Sequence, residues 1–281
     1  MNRQFPPPKG PMNQRQWLPI PDAGAFDASR IKKVNIAVVA APSVVVALLG
    51  LLVGRLWLVV VPLIGMTVLV ALTMRAMEGV VLGRLRATEA DDDAHARIIN
   101  VVDGLCVVSG DRRPRILVVE DASLTALAVP AGKEPPAIVV TTALLDQLDR
   151  LEIEAVAAHM LWRLRSGETE MTTYAIALTK VLGRIGLGAV ASRIVERLLA
   201  DKNELWADVA ACQATRYPPA MMSALHKCGA SGPGGIDPLL GPLMFVNHVM
   251  GHGDATASDG LPKVGNRAMS VDDRIAVLKE I

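Results

Sequence analysis

The chain has 281 residues, a formal charge of +1, 51% hydrophobic residues and 3% aromatic ones, enough for one ordinary domain with membrane segments beside it. Near neutrality and thinly spread basic residues exclude nucleic acid as a partner, because no Lys/Arg run or basic-aromatic interleaving is present to track a phosphate backbone. Cys106, Cys212 and Cys228 are odd in number and lack CxxC spacing, which argues against a disulfide framework or zinc knuckle and fits small buried side chains in a reducing compartment.

Residues 1–30, with "FPPPKGP" and "WLPIPDAG", are rich in Pro and Gly and have no apolar period, so they read as a flexible or polyproline-like arm. Residues 31–77 read as a transmembrane hairpin: "VNIAVVAAPSVVVALLGLLV" and "LWLVVVPLIGMTVLVALTM" are each long enough to cross a hydrocarbon core of roughly 30 Å, and only Gly54 and Arg55 separate them. Arg30, Lys32 and Lys33 precede the first span and Arg75, Arg84 and Arg86 follow the second. The positive-inside bias then puts both termini and the downstream domain in the cytoplasm.

Residues 78–281 form the third unit. Residues 78–102 are expected to be helical, with the acidic "EADDDAH" on a solvated face. "RPRILVVED" and "LTALAVP" have the length and composition of strands, and "KEPPAIVVTTALLDQL" supplies a third strand running into a helix capped by Thr141 or Thr142. "LDRLEIEAVAAHMLWRLRSGE" follows every local rule for a helix, with Gly167 just past its end. Its apolar stripes (Ile153, Val156, Met160, Leu164 and Leu148, Leu151, Ala155, Ala158, Trp162) wrap most of the circumference, which makes it central. Glu152, His159, Arg163 and Ser166 form a third, polar stripe.

"TTYAIALTKVLGRIGLGAVASRIVERLL" is apolar but interrupted by Lys180, Arg184, Arg193 and Arg197, and either packs on the domain or lies along a membrane surface. In the next helix, "ELWADVAACQATR", Glu204 and Asp208 share a face. "PPAMMSALHKCG" is a helix started by prolines and stopped by Gly229. "GASGPGGIDPLLGP" and "GHGDATASDGLPKVGN" read as loops, and Ser270 and Asp273 open a last helix with a capping box. There is no internal repeat.

The order of these pieces resembles the HtpX and CAAX-prenyl-protease family of membrane-bound zinc metallopeptidases. The resemblance covers the hairpin, "ILVVEDASLTALAVP" ahead of the catalytic helix, "IVVTTALLDQLDRLEIEAVAAH" leading into the HExxH position, "ELWADVAA" at the ExxxD helix and "SVDDRIAVL" at the end. It implies an α+β, zincin-like (gluzincin-type) domain on the cytoplasmic face of a plasma (inner) membrane. In that family two histidines and a downstream glutamate hold zinc, and the HExxH glutamate activates the bound water.

Carried over position by position, His159 matches the first histidine, Glu204 the third ligand and Asp208 the supporting acid. Met160 stands in the place of the base and Arg163 in that of the second histidine. Methionine cannot take a proton, and a permanent cation repels a metal ion. The resemblance therefore implies a degenerate site with no metal expected, His159 and Glu204 being residual ligands, and no hydrolysis. Arg163 is expected to pair with Glu204 or Asp208 in place of zinc, against the plainer reading of its stripe as a solvated helix face. The expected work is binding: an accessory, scaffolding or regulatory subunit for an integral membrane protein complex or a peptide segment, with the strand edge near "SLTALAV" open to a peptide. An active zinc endopeptidase with rearranged ligands, using His159 and Glu204 or the "HVMGH" pair His248 and His252, is the alternative. A purely structural domain whose proline-rich arm makes the contact is a third reading. His95 and His226 are expected at the surface.

Overall fold

The computed structural model describes residues 85–131, 135–184, 204–232, 234–247 and 269–281, together with Ile64, Gly65 and Val68. The arm, nearly all of the expected hairpin, and His248 and His252 lie outside these residues. Among the described residues no helix is long and apolar enough to cross a membrane.

Four strands, β1 (Thr88–Glu89), β2 (Arg115–Val119), β3 (Ala126–Val129) and β4 (Ala137–Thr141), form one sheet in the order β1-β2-β4-β3. The central pair, β2 and β4, is parallel, with Leu117 opposite Val139, and the flanking pairs are antiparallel. Strand side chains alternate between faces, so β2, β3 and β4 each feed two cores, while the two residues of β1 are exposed. Ile116, Val118, Ala126, Ala128, Ile138 and Val140 face one apolar cluster; Leu117, Val119, Leu127, Val129, Ala137 and Val139 face the other. Burial on both faces explains why the strands read as continuous apolar runs.

The first cluster is completed by helices α1 (Ala96–Ser109), α2 (Thr142–Gln147), α3 (Arg150–Ser166), α5 (Glu204–Thr215), α6 (Pro218–Ala230) and α7 (Val271–Leu278). The second is closed by α4 (Glu168–Arg184) and a 3₁₀ helix, Pro238–Leu243, through Ile176, Leu240, Leu243 and Met244. The architecture is α+β, with the sheet between a thick helical layer and a thin one.

Helix α3 is central, as its sequence requires. Asp149 and Glu152 form a reciprocal capping box at its start, and Gly167, in the left-handed conformation, ends it. Ile153, Val156 and Met160 of the first stripe are buried, whereas Leu151 of the second is 48% exposed. Thr141 is the residue that caps α2. The three cysteines are free and buried. Ser270 caps α7 through the Asp273 amide, but the returning bond runs from the Ser270 hydroxyl to the Asp273 carboxylate, so the box is not reciprocal through the backbone.

Three expectations are corrected. Of the helix expected over residues 78–102, residues 85–95 are not helical and the helix runs from Ala96, because Asp91 accepts from the amides of Asp93 and Ala94 and turns the acidic run into a loop after β1. The stretch "GASGPGGIDPLLGP" contains the 3₁₀ helix. Gly229 does not stop α6, which continues to Ala230. A Cβ on Gly229 would stand 3.2 Å from both methyl carbons of Val271, so this glycine lets α6 and α7 approach.

Gly229→Leu is accordingly expected to destabilise the domain by about 1–3 kcal/mol through overpacking, whereas Gly104→Leu, where a Cβ meets nothing within 4 Å, should cost less. Denaturant unfolding of the two variants compares them.

Candidate functional site

The polar stripe of α3 is an interior feature: Glu152, His159, Arg163 and Ser166 are each at most 2% exposed. The solvated-face reading is therefore wrong, and each group has to be neutralised or bonded inside the protein. Glu152 is held at the α3 N-terminus by its capping box, by the Ser223 hydroxyl at 2.6 Å and by Lys227 at 2.7 Å.

His159 sits where α3 crosses α5. Its Nδ1 lies 2.9 Å from Asp208 Oδ1, and its ring meets Phe245 edge-on at 5.0 Å between centroids. Burial pushes the His159 pKa down; the Asp208 bond and charge oppose this, and Arg274 and Arg163 add to the lowering. Burial alone would raise the Asp208 pKa, but Arg274 and His159 outweigh it and hold the carboxyl below its usual range. The pair is thus a neutral imidazole and a carboxylate. An ionised carboxylate only accepts, so the imidazole proton is on Nδ1 and the lone pair on Nε2. That buried Nε2 has no hydrogen-bond partner among the described residues.

The cation facing Asp208 is Arg274, which lies on α7 and which the sequence reading did not single out. Its Nε and Nη2 donate to the two Asp208 oxygens, both at 2.6 Å, and its Nη1 reaches Glu204 at 3.4 Å and the Phe245 carbonyl at 3.0 Å. The guanidinium carbon also stands 5.5 Å from the centre of the Phe245 ring. Burial disfavours the Arg274 charge, and Asp208 first and then Glu204 more than offset this, so its pKa is raised.

Arg163 does not make the ion pair expected of it. Its Nε and Nη2 donate to Glu168 Oε1 at 3.1 and 2.9 Å, its Nη2 to the Pro242 carbonyl at 2.7 Å, and its Nη1 to the carbonyls of Leu243 and Met244, both at 3.0 Å. The five N–H groups of a guanidinium are all used. The expectation rested on the need of Glu204 and Asp208 for a cation; Glu168, five residues on and just beyond the Gly167 turn, takes the guanidinium instead.

Met160 is fully buried in the helical core, and no proton acceptor occupies its place. Cys212 and Cys228 are also buried, and burial raises both thiols to about 12, so neither is a thiolate at neutral pH. Among the described residues only part of a zinc set is present: the His159 Nε2 lone pair suits a metal, but Glu204 lies against Arg274 and Arg163 stands at the position matched to the second histidine. Among the described residues no group of three His, Cys, Asp or Glu could hold a metal ion.

Comparison with known proteins finds relatives that share one name. The chain is 27% identical over 192 residues to a "Protease HtpX homolog" of Pediococcus pentosaceus, covering 55% of this chain and 64% of that protein. The chain is HtpX-like in sequence. A protein of the same name from Streptococcus agalactiae is 25% identical over 238 residues, 72% of this chain and 79% of the relative. One from Streptococcus thermophilus is 24% identical over 282 residues, 83% and 92%. The chain thus spans slightly less than two thirds of the Pediococcus relative and more of the two streptococcal ones. No family model matches the chain.

Two outcomes are expected. Arg274→Met orphans the buried Asp208 and should cost about 3–5 kcal/mol of domain stability, measured by denaturant unfolding. Because the folded His159 pKa lies below the ordinary value of 6.5, its contribution is fully present above that pH. It is lost as pH falls from there towards the folded value, with a limiting slope of about 1.4 kcal/mol per pH unit. Unfolding of His159→Gln should lack that slope; an identical pH profile in the variant would remove His159 as its source.

Proposed function

We propose that the chain is a membrane-anchored, catalytically inactive relative of the HtpX peptidases that works by binding, as an accessory, scaffolding or regulatory subunit of an integral membrane protein complex. The observation that carries this reading is the Arg274 guanidinium on Asp208 and Glu204, together with Arg163 at the position of a ligand. Cations already balance the acids that the family uses around zinc.

Chemistry points the same way. Hydrolysis at neutral pH needs an activated water, and a positioned base typically supplies about 10²–10⁴ of the rate. Met160 supplies none. Without three protein ligands a zinc ion is bound weakly, and without the ion the water keeps its ordinary pKa. The hairpin expected over residues 31–77, with its flanking basic residues, fits a multi-pass anchor in a bacterial plasma membrane with the domain on the cytoplasmic side.

The unpartnered Nε2 of His159 favours one second reading: a residual zinc site completed by Glu204 or by His248 and His252, serving an endopeptidase with rearranged ligands. Zinc per chain in detergent-purified, untagged protein separates the two, measured beside His159→Ala and with casein hydrolysis followed with and without chelator. The binding reading expects little zinc, no change in His159→Ala and no chelator-sensitive cleavage. Stoichiometric zinc that His159→Ala loses, with chelator-sensitive cleavage, would establish the peptidase.

A further inference from the structure

Among the described residues, one face of the helical layer is unpartnered. An open groove of about 680 Å³ runs over α1, α3 and α5, its apolar part lined by Gly104, Ala158, Leu161 and Ala214. A Cβ on Gly104 would meet nothing within 4 Å, so the groove has a hollow there. One turn further along α1 it has the opposite, a projection: Val107 and Val108 are 83% and 84% exposed, and Val108 lines the groove. Charges sit at both ends of α3. Arg150 and Glu154 line the groove where that helix starts, Arg165 and Asp111 where it ends. Arg165 reaches Asp111, just past the end of α1, at 3.8 Å, so α1 and α3 end side by side.

We propose that this face is where two copies of the chain pair, α1 and α3 of one lying antiparallel to those of the other about a twofold axis. A twofold contact joins a patch to itself, so projection and hollow must both be present on one face of one copy. They are: with the axis at the level of Cys106, Val108 of each copy enters the hollow at Gly104 of the other. A parallel pairing would instead set valine on valine and hollow on hollow. The antiparallel register also brings the start of one α3 to the end of the other. Glu154 of each copy then faces Arg165 of the other, and Arg150 faces Asp111, so opposite charges meet at both ends and none faces its like. Ends that each carry one base and one acid have no net charge to draw an anionic surface, and a foreign helix would not need the reciprocal fit. The pairing is separate from the interior site around His159 and does not rest on how that site is read.

The test uses the full-length chain in isolated membranes. Cys106, Cys212 and Cys228 are buried, so Val107→Cys adds one accessible thiol close to the axis, and Lys279→Cys, at the end of α7, adds one outside the groove. Mild oxidation should join Val107→Cys into a disulfide dimer of twice the chain's mass and leave Lys279→Cys largely monomeric. In the Val107→Cys background, Glu154→Arg and Arg165→Glu each set like charges opposite and should lower the dimer yield about tenfold; the two together should restore it. Gly104→Leu, which fills the hollow, should lower the yield as well. Denaturant unfolding checks that each variant is folded. A yield from Val107→Cys no higher than from Lys279→Cys, a cross-link to a protein of another mass, or a folded double reversal that stays low would each overturn the proposal. So would a folded Gly104→Leu that cross-links like its parent, and this comparison decides if a charge variant does not fold.

Discussion

Two guanidinium groups with no access to water are the constraint on which the rest of this domain depends. Arg163 and Arg274 are 0% and 1% exposed, and an arginine does not escape burial by losing its proton. Each must be surrounded by acceptors. The chain meets that demand with carboxylates from α4 and α5 and with four successive carbonyls from residues 242–245, so elements far apart in sequence are tied to α3 and α7. Glu168, Asp208 and the end of the 3₁₀ helix are placed by the same requirement.

His159, Asp208, Arg274 and Phe245 form a compact unit in which every member fixes another. Arg274 keeps Asp208 ionised, Asp208 fixes the proton of His159 on Nδ1, and the Phe245 ring covers both the imidazole and the guanidinium. A lone pair remains at the buried Nε2, which has no hydrogen-bond partner among the described residues.

Much of the fold was legible in the sequence because its signals are local. Ile and Val runs gave β2 and β4, and Gly167 gave the end of α3. The pairing of Glu204 with Asp208 on one face was legible too, since a four-residue spacing sets a helix face. What escaped was non-local. Arg274 lies on an eight-residue helix with two acids before it, and nothing nearby marks it as the counterion of Asp208. The clue was indirect: two acids on the otherwise apolar "ELWADVAACQA" required a cation from elsewhere. The isolated bridge that Met244 makes with Leu127 is likewise a contact that no local pattern marks.

The sheet's two margins differ in construction and are alike in effect. At one, β1 contributes only two exposed residues, and Glu89 is tied to Arg115; at the other, residues 244 and 245 supply the neighbour that β3 lacks. Long, flat, unpaired margins are what other chains use as templates for cross-strand aggregation. Neither described margin offers one, so the three strands buried on both faces present no template at either rim.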